Sequence, residues 1–117
     1  MNSADLAKIL REQTNQRVYI RQLIILEQSV SLIKARLYIS PDLFVQIYRN
    51  DRFDSTNLVL IHNQQRIYGR DHIGGVWHRH PVGNPHSHDT SSEGRRDIHL
   101  SEFLDEVETI LADMNLP

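Results

Sequence analysis

Five of the seven histidines fall between His72 and His88, in a stretch that holds two His-x-His pairs, His78 with His80 and His86 with His88. In extended backbone, side chains two apart share a face, so each pair would present both imidazoles together. Histidine exchanges a proton near neutral pH and is the commonest metal ligand, which leaves two chemistries open. Acid–base catalysis needs one imidazole to take a proton, a second to give one, and cations to hold the developing charge. RNA cleavage by its own 2′-hydroxyl requires only those parts. His78, His80, His86 and His88 are the candidate acids and bases, with Asp71 to orient one of them. Arg70, Arg79, Arg36 and Lys34 are the candidate phosphate-binding cations.

A metal centre instead needs three or four ligands converging at roughly 2.0–2.1 Å, and the same four histidines could supply them to a divalent ion such as zinc. No Glu stands at the helical spacing of a metalloprotease, and Asp71 and Asp89 are the nearby carboxylates. A third reading is a solvated, histidine-rich loop with no chemistry. Trp77 could stack on a base but reads better as core. Tyr38, Tyr48 and Arg36 would make a basic, aromatic sheet face of the kind single-stranded RNA lies across. A plain solvated face is the alternative.

These residues must be positioned by short strands. Residues 3–13 read as a helix with Ser3 as N-cap and Leu6, Ile9 and Leu10 on one side. Residues 18–27 read as a first strand, with Val18, Ile20, Ile24 and Leu26 on one face. Residues 32–39 alternate cleanly, Ser40-Pro41-Asp42 turns the chain, and residues 43–49 return. After a polar loop over 50–56, strands follow at 58–62, 66–72 and 76–80. Asn63-Gln64-Gln65 and Gly74-Gly75 are the turns between them. Residues 81–96 read as loop, and a helix from about Ser101 carries the stripe Phe103, Leu104, Val107, Ile110, Leu111 and Met114. Strands joined by such tight turns cannot be parallel. The expected fold is α+β: a single antiparallel sheet of about five or six strands with both helices packed on one face. Lys34, Arg36, Tyr38, Gln46 and Tyr48 would lie on the other face, joined by Arg66 or Arg70.

With 117 residues, 39% hydrophobic and 24% charged, the chain reads as one globular domain. No apolar run approaches the roughly 20 residues that span a bilayer. The first ten residues lack the basic and apolar regions of a signal peptide, and there is no cysteine, so a cytoplasmic location is expected. From Asp97 onward come six acids and no Lys or Arg, leaving 13 basic and 9 acidic side chains in the first 96 residues. That asymmetry suits a polyanion partner on the body of the protein, or simply a solvated helix face at its end.

A wider pattern runs through Tyr68-Gly69-Arg70-Asp71, then Trp77-His78-Arg79-His80-Pro81, then Pro85-His86-Ser87-His88, and ends in the amphipathic helix. It resembles the TumE-like toxins of prokaryotic toxin–antitoxin modules, over roughly residues 32–112. The chain departs from that family's pattern at Gly69, at His72-Ile73-Gly74-Gly75, and in the shorter His-Ser-His spacing. The resemblance implies one TumE-like α+β domain over residues 1–117, ribonuclease activity, and an antitoxin partner, often a helix-turn-helix protein. The acid–base reading expects no cofactor, and the oligomeric state is open, a homodimer among its options. Carried over by position, the resemblance marks Arg70, Asp71, His78, His80, His86 and His88.

Overall fold

A computed structural model describes residues 2–117. Helix α1 (Ser3–Gln16) leads into strands β1 (Gln22–Gln28), β2 (Leu32–Ser40), β3 (Leu43–Asn50), β4 (Ser55–His62), β5 (Gln65–Ile73) and β6 (Val76–His80). Helix α2 (Leu100–Asp113) closes the fold. The six strands form one antiparallel meander in sequence order. Links of two to four residues explain that order, because they let a strand pair only with its neighbour. Asn63 and Gln64 (φ 50° and 66°) and Gly74 and Gly75 (φ 65° and 80°) all adopt the left-handed backbone that tight hairpin turns require.

Side-chain alternation divides the sheet into two faces. Ile33, Ala35, Leu37 and Ile39 of β2, Leu43, Val45 and Ile47 of β3, and Leu58 and Leu60 of β4 are buried beneath the helices. Leu6, Ala7 and Leu10 of α1 and Phe103, Leu104, Val107 and Leu111 of α2 fill the other half of the core. Asn2 caps α1, its Oδ1 accepting from Asp5 N–H at 2.8 Å. Ser3, expected as the cap, lies inside the helix and donates from Oγ to Asp51 Oδ2 at 2.8 Å.

The first strand differs from its expected span of 18–27. A turn closed by Ile20 N–H donating to Arg17 O holds residues 17–20, so β1 starts only at Gln22. Pairing Leu23 with Leu37 and Ile25 with Ala35 sends Leu23 and Ile25, not Ile24 and Leu26, to the helix side. Val18 is 98% exposed. A bulge between Ile25 and Glu27 shifts the register of this edge strand, which alternation alone does not reveal.

Helix α2 is held by charge as well as apolar contact. Arg70 on β5 has no exposed surface, and its Nε and Nη2 donate to Glu106 at 2.9 and 2.7 Å. Its Nη1 donates to Glu93 O at 2.9 Å. Tyr68 donates to Glu106 Oε1 at 2.8 Å, and its ring stacks on Phe103 at 5.7 Å. Arg17 reaches Asp105 and Glu108, and Arg96 reaches Glu102, so the acidic end of the chain is spent largely on intramolecular cations. Arg70, expected as an option for the uncovered face, lies beneath the helices because it shares a cross-strand row with Leu58 and Arg79.

Glu106→Ala would strand a buried guanidinium and is expected to cost about 3–5 kcal/mol in urea unfolding. Replacing the pair with Arg70→Met and Glu106→Leu is expected to recover most of that loss. Burial pushes the phenols of Tyr19 and Tyr68 up to about 12, with the Glu106 contact adding to the effect at Tyr68. The fold therefore favours their neutral form. Stability should be intact below pH 10 and decline as pH rises from about 10 to about 12. Absorbance titration should show two of the four tyrosines ionising together with unfolding.

Candidate functional site

The parity that turns Arg70 inward turns its successor Asp71 outward. Across the β5–β6 hairpin, Asp71 pairs with His78 and Gly69 with His80, so one carboxylate and two imidazoles share the uncovered face. Residues 81–88 then fold back along β6. Asp89 N–H donates to Arg79 O at 2.8 Å, forming an isolated bridge beyond the last strand. On the helix side of that bridge Arg79 Nε donates to Asp89 Oδ2 at 2.9 Å. On the uncovered side His88 comes edge-on to both partners, its ring centroid 4.7 Å from that of His80 and 5.6 Å from that of His78.

Asp89 anchors this return. Hydrogen bonds from Ser91 and then from the Arg79 guanidinium hold its carboxyl down at about 2, so it is ionised at neutral pH. Gly94 packs directly behind it, where a Cβ would lie 2.2 Å from Asp89 O. The glycine is required by that close approach of two backbones.

At the centre lies Asp71, 6% exposed. His80 Nδ1 is 3.1 Å from Pro85 O and its Nε2 is 2.8 Å from Asp71 Oδ2. A carbonyl and a carboxylate both only accept, so each contact is a hydrogen bond only when the ring nitrogen facing it carries a proton. Through these two contacts His80 ties the returning loop to β5. The second oxygen, Oδ1, is buried with no hydrogen-bond partner and lies 3.5 Å from His78 Nδ1. An unpaired buried carboxylate oxygen is costly, and a small movement of His78 would satisfy it. His78 would then donate from Nδ1 and present Nε2 as an acceptor to the outside.

The remaining sequence candidates lie elsewhere. His86 is exposed in the loop, outside the three-ring cluster. Arg70 has all its donors committed beneath the helices, and Arg79 is paired to Asp89 on that same side. The expected convergence of imidazoles and guanidinium groups therefore does not occur, because alternate residues of one strand project to opposite faces. Lys34 and Arg36 do share the uncovered face, in rows that run Lys34–Tyr48–Asn57–Asp71–His78 and Arg36–Gln46–Val59–Gly69–His80. Four strand spacings put them about 19 Å from the imidazoles. Arg36 lies over the Phe44 ring at 4.6 Å and donates to Gln46 and Tyr38.

His86 lies apart from the other three rings, and both nitrogens of His80 face acceptors, at Pro85 O and Asp71 Oδ2. Among the described residues, no group of three or more His, Cys, Asp or Glu is arranged to hold a metal ion. No helix among them is long and apolar enough to cross a membrane. The chain matches no protein-family model, no curated protein and no solved structure.

One polar row escaped the reading of the sequence. Arg49, Thr56, His72 and Trp77 are cross-strand neighbours on the helix side, at the edge of a cavity of about 240 Å³. The Gly74-Gly75 turn is the signal that could have found it, since counting back from it sets His72 opposite Trp77.

Gly94→Ala is expected to displace Asp89 and with it His88, at a cost of about 1–3 kcal/mol for overpacking. The ring proton signals of His88 and His80 should move in NMR spectra, while those of His62, on β4, should not. Unchanged His88 signals in a folded variant would contradict this account of the anchor.

Proposed function

We propose that this chain is a TumE-like toxin that cleaves RNA by metal-independent acid–base catalysis on the uncovered sheet face. The observation that carries the reading is the packing of His78, His80 and His88 around the buried carboxylate of Asp71. His78, oriented through Nδ1 by Asp71, takes the proton of the 2′-hydroxyl at Nε2. The 2′-oxygen attacks phosphorus, the bond to the 5′-oxygen breaks, and His88 gives that leaving oxygen its proton. The products are a 2′,3′-cyclic phosphate and a free 5′-hydroxyl. His80 acts as the cation next to the phosphate, the role the sequence suggests for Arg70 and Arg79.

Lys34 and Arg36, with Tyr38 and Tyr48, bind the strand away from the scissile bond. On this reading the partner is an antitoxin that silences the site, and the working compartment is the cytoplasm. The 3.5 Å gap between His78 and Asp71 is no obstacle, because catalytic hydrogen bonds are often long before substrate binds.

Purified protein is expected to cleave single-stranded RNA in the presence of EDTA. His78→Ala and His88→Ala should each lower the rate about 10²–10⁴-fold, with His86→Ala near the parent rate. Activity lost to chelator and restored by zinc would replace this mechanism with a metal-dependent one. Salt-sensitive RNA binding without turnover would make the chain a binding module instead.

A further inference from the structure

We infer that the cavity behind the β5–β6 hairpin is a binding pocket for a guanine base. It lies on the opposite side of the sheet from the imidazole cluster, since His72 and Trp77 are the immediate chain neighbours of Asp71 and His78. Its floor is the row Arg49, Thr56, His72 and Trp77, and the segment 97–99 leading into α2 forms one wall. At about 240 Å³ it falls below the roughly 300–1,000 Å³ of drug-sized sites, a volume suited to one ring system.

The hydrogen-bonding inventory selects the ring. Arg49 is 93% buried, and it spends Nε on Asp51 Oδ1 at 3.0 Å and Nη1 on Asp54 Oδ1 and Thr56 Oγ1 at 3.0 and 3.1 Å. Its Nη2 has no hydrogen-bond partner among the described residues, which leaves the two N–H donors of that nitrogen for a ligand. His72 Nδ1 is 3.2 Å from Asp54 O, a carbonyl that can only accept, so Nδ1 is the donor in that contact and Nε2 is left for a ligand. Asp54 and Asp97 add carboxylate acceptors, and Trp77 supplies an aromatic surface, with its ring 5.3 Å from that of His72.

A simple anion would meet two carboxylates here, and a simple cation would meet Arg49. The lining calls for an uncharged ring with paired acceptors on one edge and paired donors on another. Guanine has both: O6 and N7 suit the guanidinium, and N1–H with N2–H₂ suits a carboxylate. The indole adds stacking, which is worth most to a planar base.

The biological use of the pocket rests on RNA being the substrate. A strand crossing the Gly74-Gly75 tip, where no side chain intervenes, would be held by a guanine on one face and cut on the other. Binding of a free nucleoside needs no turnover, so the two readings fail separately.

Trp77 is the sole tryptophan of the chain, so its fluorescence reports on this cavity alone. Titration with guanosine should give saturable quenching, with adenosine, cytidine, uridine and inorganic phosphate at least about tenfold weaker. Asp97→Asn, at an exposed position, should weaken guanosine at least about tenfold with an unchanged melting temperature. Arg49→Lys should also weaken guanosine through the opposite edge of the base, while the loss of its bonds to Asp51, Asp54 and Thr56 lowers the melting temperature. Equal quenching by all four nucleosides, a response to phosphate alone, or no response at millimolar guanosine would each overturn the assignment.

Discussion

The ion pair between Arg70 and Glu106 is the constraint on which the working half of the molecule depends. A guanidinium with no exposed surface is tolerable only if each nitrogen finds an acceptor, and Arg70 finds them in Glu106, Glu93 and the Glu93 carbonyl. Satisfying it places α2 over β5 and draws in the segment before the helix. It also locks the parity of β5: with Arg70 inward, Asp71 must face outward. The position of the candidate chemistry thus follows from a charge buried on the opposite side of the sheet.

From that parity comes a division of labour between neighbouring residues. Along β5 and β6, Arg70, His72, Trp77 and Arg79 serve the helix side, where they pair, pack and line a cavity. Asp71, His78 and His80 serve the uncovered side. The loop after β6 repeats the pattern once more, with Asp89 inward on Arg79 and His88 outward beside His80. A hairpin only five pairs long therefore equips both faces of the sheet. This economy has a cost in tolerance, since a one-residue slip would exchange the two sets of side chains.

Within the cluster the histidines are not equivalent. His80 has both nitrogens engaged and acts as a bracket between Asp71 and Pro85. His78 and His88 each keep a nitrogen free of protein partners, which is what proton transfer to a substrate requires. The buried Asp71 oxygen without a partner among the described residues is the kind of local imbalance that stable folds usually eliminate, and His78, 3.5 Å away, is the side chain placed to relieve it.

Much of the fold was legible along the chain. The alternation at residues 32–39 and the turn residues at Pro41-Asp42, Asn63-Gln64 and Gly74-Gly75 specify a meander, and the apolar stripe from Phe103 specifies the last helix, because these are local patterns. The histidine concentration likewise pointed to the hairpin beside which three of those rings meet. Which imidazoles meet, and which cations join them, was not legible: Arg70 and Arg79 look available in sequence and are committed in space. That choice is made by α2 and by segment 89–96, ten or more residues away along the chain. Spacing reports only which side of its own strand a residue occupies. Burial and pairing across the sheet decide whether that side holds solvent, a helix or another charge.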